Sequence, residues 1–181
     1  MKFNATEFEG CFVIEPQLIS DERGWFSRVF CQEEALPFMG ALKFVQINHS
    51  FNTKKGTFRG MHYQVSPYKE AKLIRCISGA VLDFVLDIRE NSPTFLKWIS
   101  IELSAKNRRM IFIPEGCAHG FQTLEDNSEL IYHHTVFYNK DADRGILYND
   151  PLVNIKLPIE TSIISDKDKN YLLLDQNFKG I

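Results

Sequence analysis

Apolar residues recur along this chain in short runs broken by turn residues, and almost nowhere at helical spacing. CFVIEPQLI (11–19) leads through DERG to WFSRVF (25–30), and KFVQINHSF (43–51) is followed by GTFRGMHYQ (56–64). KLIRCI (72–77) and AVLDFVLDI (80–88) flank Ser78-Gly79, a pairing that predicts a hairpin turn. In WISIELS (98–104) Ile99, Ile101 and Leu103 alternate with Ser100 and Glu102, which predicts a strand with one buried and one wet face. MIFI (110–113) runs into the tight PEGCAHG segment, and ELIYHHTVFY (129–138) follows. Helix signals are sparse. EEALPFMG (33–40) has room for one short turn, and SDKDK (165–169) places Ser165 and Asp168 as a capping box. The expectation is an all-β jelly roll forming one domain over residues 1–181, with a few short helices mainly near the C-terminus.

Composition narrows the function without naming it. The 181 residues carry 21 basic and 23 acidic side chains, a formal charge of −2, so the chain offers no general basic footprint for nucleic acid. Fifteen phenylalanines suit strands and large packed side chains. Cys11, Cys31, Cys76 and Cys117 are scattered with no CxxC pair, which argues for free thiols in a reducing cytosol rather than a zinc or disulfide framework. No run approaches the ~20 apolar residues of a membrane span, and MKFNATEFEG lacks the apolar core of a signal peptide. A cytoplasmic protein without membrane or nucleic-acid partners is expected.

GTFRGMHYQ is the segment where chemistry and core collide. Phe58 and Met61 belong in a core, while Arg59 and His62 ask for polar work in the same place. Three residues apart, Arg59 and His62 point to opposite faces of a regular strand. Both reach one site only if the strand kinks or bulges, and Gly60 is the natural place. PEGCAHG contains P-x-G-x-x-H, ending at His119, and resembles the second sequence motif of the cupin jelly rolls. A metal-binding cupin also carries an earlier H-x-H with a nearby Glu. Here that strand offers His62 alone, and two imidazoles make a thin transition-metal site. His133 and His134, as strand neighbours, face opposite ways, so at most one shares a wall with Tyr132, and His133 is expected to be exposed. No metal is expected.

Taken together, GTFRGMHYQ, AKLIRCISGAVLDFVLDIRENSPTFLKW, IPEGCAHGF and LIYHHTVFY resemble successive landmarks of the dTDP-4-dehydrorhamnose 3,5-epimerase family. DERGWF and FVQINHS upstream, and DRGI, NDP and SDKD downstream, continue the match over about residues 8–170. The resemblance implies a cofactor-free, homodimeric, cupin-type jelly roll. It implies an isomerase of deoxysugar biosynthesis that acts on nucleotide-linked 4-keto-6-deoxyhexoses, at carbons 3 and 5 or at carbon 3 alone. A proton on a carbon beside a ketone is weakly acidic. Removing it needs a base close by and a donor at the developing enolate oxygen, and inversion needs an acid across the ring.

By resemblance His62 is the base, Asp168 its partner, Lys72 the enolate-stabilising lysine and Tyr132 the acid. An imidazole suits the first role because it ordinarily titrates near ~6.5, and a phenol near ~10 keeps its proton for donation. Read without the family, Asp168 is a helix cap, Lys72 a strand-end lysine and Tyr132 an aromatic on a sheet face. The resemblance also carries over Arg23, Phe26, Arg59 and His119 as contacts to the sugar nucleotide. Gln46 and Asn48 match a polar pair near the nucleotide, and Tyr138 an aromatic that stacks on the base. Asp143 and Lys167 match further binding positions. Departures from the family pattern are Arg28 for Glu, Ile47 for Asp, Asp143 for Glu, His133 for Lys and Leu157 for Trp. They bear on which nucleotide and sugar are bound, and none removes a proposed catalytic residue. Two other readings are a metal-dependent cupin enzyme and a non-catalytic sugar-nucleotide binder.

Overall fold

The computed structural model describes all 181 residues. Strands β1 (Lys2–Ala5) and β2 (Phe12–Glu15) open the chain, followed by a hairpin of β3 (Leu18–Asp21) and β4 (Gly24–Ser27). Helix α1 (Gln32–Met39) comes next, then β5 (Gln46–Asn52), β6 (Thr57–Gln64), β7 (Lys72–Ser78) and β8 (Ala80–Asp87). The second half holds β9 (Trp98–Ser104), β10 (Met110–Ile113), β11 (Cys117–Thr123), β12 (Ser128–His134), β13 (Asp143–Gly145), β14 (Ile163–Ile164) and helix α2 (Asp166–Lys169). No helix is long and apolar enough to cross a membrane.

Two sheets form the sandwich. The first has the order β1-β2-β10-β7-β12-β5, and the second β13-β6-β11-β8-β9 with β14 beside β6. Between them lie Ile74, Cys76, Val81, Val85, Phe121 and Leu130, the inward positions of alternating strands. The outer face of the first sheet buries Leu73, Met110 and Phe112 against Ala35 and Met39 of α1. The outer face of the second buries Phe58, Met61, Phe84 and Leu86 under Ile146, Val153 and Ile155 from the C-terminal third. Each such large side chain contributes roughly 1.5–3 kcal/mol by leaving water.

The cupin-type jelly roll is thus as expected, and two local expectations are corrected. Ser78-Gly79 is no hairpin. β7 pairs with β10 and β12 in the first sheet, whereas β8 pairs with β9 and β11 in the second. The dipeptide is a corner where the chain crosses between sheets. Gly79 has φ +67°, and a Cβ there would sit 2.4 Å from the Ser128 hydroxyl oxygen. Helical content is not concentrated at the C-terminus either. The longer helix is α1, eight residues with Glu33 and Glu34 in its first turn, while α2 has four. β9 shows the predicted alternation: Leu103 is buried, Ile99 and Ile101 half-buried, and Ser100 and Glu102 exposed.

Candidate active site

Where the two inner faces turn from apolar to polar, they enclose a cavity of about 260 Å³. Strand register decides what lines it. On the first sheet, cross-strand partners put Gln46, His134 and Lys72 in one row, and Asn48, Tyr132 and Ile74 in the next. Directly opposed residues share a face, so Lys72, Tyr132 and His134 all point inward. On the second sheet His119 lies opposite His62, and Phe121 opposite Arg59. One residue of β11, Gly120, thus faces two of β6, and the extra one is accommodated by a bulge at Gly60 and Met61. The bulge turns Arg59 and His62 to one wall while Met61 stays fully buried behind them. Gly60 has φ +139°, and a Cβ there would lie 2.4 Å from the Gly120 Cα. No side chain fits between these two backbones.

His62 Nε2 lies 2.7 Å from Asp168 Oδ1. A carboxylate accepts, so Nε2 carries the proton and Nδ1 is the nitrogen free to act as a base. The other Asp168 oxygen accepts from the Gly60 N–H at 3.2 Å, and the Asp168 N–H donates to Ser165 Oγ at 3.1 Å. Ser165 therefore caps α2 as expected, while the Asp168 carboxylate is directed at His62. Burial works to raise the Asp168 carboxyl, but the hydrogen bond and charge of His62, with Gly60 and Ser165, outweigh it and hold the group below the usual carboxylate range.

Across the cavity, Tyr132 Oη lies 2.9 Å from Ser50 Oγ. Burial pushes the Tyr132 phenol well above its ordinary value, opposed only in part by Ser50, so it stays protonated at neutral pH. Lys72 is buried and ion-paired to Glu70 at 3.1 Å. Arg59 reaches the cavity with its Nε donating to Asn52 Oδ1 at 2.7 Å. His119 and Asp83 form a second pair, Nε2 to Oδ2 at 2.8 Å. Burial drives the imidazole down and the carboxyl up, each toward its neutral form, and their contact opposes both shifts.

A smaller adjoining cavity of about 190 Å³ shares His62, Lys72 and His134 with the first and adds Tyr138, Asp143 and Lys167. Asp143 accepts from the Tyr138 hydroxyl at 3.1 Å and pairs with Lys167. No group of three or more His, Cys, Asp or Glu is gathered where it could hold a metal ion.

Residues 5–176 match the family model for dTDP-4-dehydrorhamnose 3,5-epimerase. The chain belongs to that family. The dTDP-4-dehydrorhamnose 3,5-epimerase of Shigella flexneri is 46% identical over 166 residues, 91% of each chain. The crystal structure of the Bacillus anthracis enzyme of the same name, with TDP and PPi bound, superposes with a TM-score of 0.92 at 38% identity and covers 96% of this chain and 99% of that one. A 3'-monoepimerase from Streptomyces bikiniensis, in complex with dTDP-quinovose, superposes at 0.85 with 29% identity, covering 93% and 85%. This member of the epimerase family is accordingly an isomerase acting on carbohydrates, an enzyme of deoxysugar biosynthesis.

The epimerase fold gathers His62, Asp168, Lys72, Tyr132, Asn48, Arg59 and His119 at the larger cavity, and Tyr138, Asp143 and Lys167 at the smaller. Gln46 sits at the same end, its Oε1 accepting from the Tyr138 N–H at 3.0 Å. Arg23 and Phe26 are elsewhere. Both lie on the β3–β4 hairpin and line a separate concavity with Ile19 and Trp25, where Arg23 is paired only with Asp21. Of the histidine pair, His134 shares the wall with Tyr132. His133, expected to be exposed, is half-buried with its ring 5.4 Å from that of Phe44, because the outer face of β12 is covered there too. Sequence reasoning did not single out Ser50, Asp83 or Glu70. Ser50 continues the period-two series Gln46, Asn48, and Asp83 is a charge in the middle of the apolar run AVLDFVL (80–86), so both left a trace. Glu70 precedes its strand and left none.

Proposed function

We propose that the protein inverts carbon 3 and carbon 5 of a dTDP-linked 4-keto-6-deoxyhexose such as dTDP-4-dehydro-6-deoxyglucose, with His62 as base and Tyr132 as acid. The observation that carries this reading is the placement of the two groups on facing walls, His62 on the second sheet and Tyr132 on the first. A sugar ring held between them meets a base on one face and a proton donor on the other. His62 Nδ1 takes the proton from carbon 3, and the electrons move into the carbonyl at carbon 4. Lys72 stabilises the enolate oxygen. Tyr132 then protonates carbon 3 from the far face, and the two side chains recover their starting protonation through solvent. The same cycle at carbon 5 gives the second inversion, with no net oxidation. Asp168 keeps the proton on Nε2 and stabilises the imidazolium that forms, as the carboxylate of a hydrolase triad does.

Arg59 and His119 suit the diphosphate and sugar, and Tyr138, Asp143 and Lys167, with Gln46 and Asn48, the nucleoside. Epimerisation at carbon 3 alone uses the same base and acid, and the relationship to a 3'-monoepimerase keeps it as the second reading. No cofactor takes part in either.

The reading extends to a homodimer in the cytoplasm, each chain acting as one domain. Ile19, Trp25 and Phe26 are 65%, 47% and 70% exposed on a hairpin outside both sheets. Pairing of two chains would cover that surface.

Incubation with dTDP-4-dehydro-6-deoxyglucose in deuterated water tests the assignment. Deuterium at every inverted centre is expected, at carbons 3 and 5 for the double reaction and at carbon 3 for the single one. A protein that binds the sugar nucleotide and exchanges neither position is no epimerase of this substrate.

A further inference from the structure

Beside the proposed catalytic groups stands a buried pair that the mechanism above does not use. His134 lies directly opposite Lys72 on β7 and opposite Gln46 on β5. Glu70, just before β7, has a side chain only 9% exposed. One of its oxygens is 2.7 Å from His134 Nδ1 and the other 3.1 Å from Lys72 Nζ.

The hydrogen-bond directions in this cluster follow from which atoms can donate. Asn48 Nδ2 lies 3.2 Å from His134 Nε2, and an amide nitrogen only donates, so Nε2 accepts. The ring proton is then on Nδ1 and is donated to Glu70. Asn48 Oδ1 in turn accepts from Gln46 Nε2 at 3.1 Å. Every contact from Gln46 to Glu70 therefore points the same way, and the series ends on the carboxylate that holds Lys72. A lysine alone has a four-carbon stem and no fixed direction at its tip. Here the tip is tied to a carboxylate whose second oxygen is itself pinned. Lys72 and His62 line both cavities together, so a small drift of Nζ changes its distance from any oxygen presented to His62.

We infer that Glu70 and His134 are positioning residues that together hold the Lys72 ammonium where the enolate oxygen develops. This rests on the reading in which Lys72 stabilises that enolate. Neither residue needs to touch the substrate for the effect.

The test is steady-state kinetics of Glu70→Gln, His134→Gln and the double variant on dTDP-4-dehydro-6-deoxyglucose, with Tm and the Kd for dTDP measured alongside. Each single variant is expected to lose about tenfold in kcat while KM and Kd stay within about twofold, since the lost interaction acts on the transition state. The double variant should be about as slow as either single one, because the two residues act as a unit. The two substitutions remove opposite ends of the pair, so a folding failure in one leaves the other to decide. Singles with wild-type kcat, or losses in kcat that only track losses in Tm and Kd, overturn the inference. Independent losses that add in the double variant overturn it as well. A wild-type protein that neither exchanges nor epimerises the substrate overturns the underlying reading instead, and the inference falls with it.

Discussion

His62 and Asp168 are 106 residues apart in sequence and 2.7 Å apart in the fold. At the residue scale this contact does two jobs: it orients the imidazole, and it places a carboxylate whose ionisation folding favours. Because the folded carboxyl is held below its ordinary value, its contribution to stability is complete above the unfolded value of ~3.9 and is lost as pH falls through the folded one. Asp168→Asn should therefore flatten the acid limb of a Tm-against-pH curve below about pH 4. It should also cost kcat roughly a hundredfold or more at neutral pH, through loss of the orienting charge. A variant with reduced Tm and intact kcat would leave Asp168 as a structural residue and remove it from the mechanism. The sequence alone supports either a cap or a partner for this aspartate, because a capping-box position is legible locally and a contact across 106 residues is not.

At the scale of elements, β6 carries the site, and the bulge at Gly60 and Met61 is what lets one strand serve both core and cavity. That much was legible: Arg59 and His62 at odd separation, with a glycine between them, require an irregular strand. What sits opposite was not. Gly60 is packed against Gly120 of β11, and only the sheet pairing reveals the close approach. Gly60→Ala combines an unfavourable backbone angle with overpacking, at a cost of about 3 kcal/mol. Thermal unfolding should fall by roughly 10 °C, and activity should drop as Arg59 and His62 lose register. An unchanged Tm would show that the bulge has room to relax. Ser78-Gly79 illustrates the opposite failure. Two apolar runs joined by a short glycine turn read as a hairpin, but whether a turn folds a sheet back on itself or crosses to the other sheet depends on pairing partners far along the chain.

For the whole molecule, the site is a product of two sheets meeting, and of surface left uncovered. The alternation in β9 and the apolar runs made the sandwich readable, while the residues its two walls bring together, Glu70 and Ser50 among them, depend on register across strands. The β3–β4 hairpin, with Phe26 70% exposed, belongs to neither wall. Light scattering at micromolar concentration should give twice the mass of one chain, and deleting residues 18–27 should lower that mass, affinity for dTDP, or both. A monomer with full activity would contradict the dimer.

The central claim is that proton removal and proton return occur on opposite walls, and Tyr132→Phe in deuterated water tests it most directly. Without the phenol, His62 can still form the enolate, stabilised by Lys72, and return a solvent-exchanged deuteron to the face it came from. The account predicts deuterium at carbon 3 or carbon 5 of recovered substrate with little inverted product, whereas the wild-type protein couples exchange to inversion. Inversion by Tyr132→Phe at near the wild-type rate would contradict it and place the acid elsewhere.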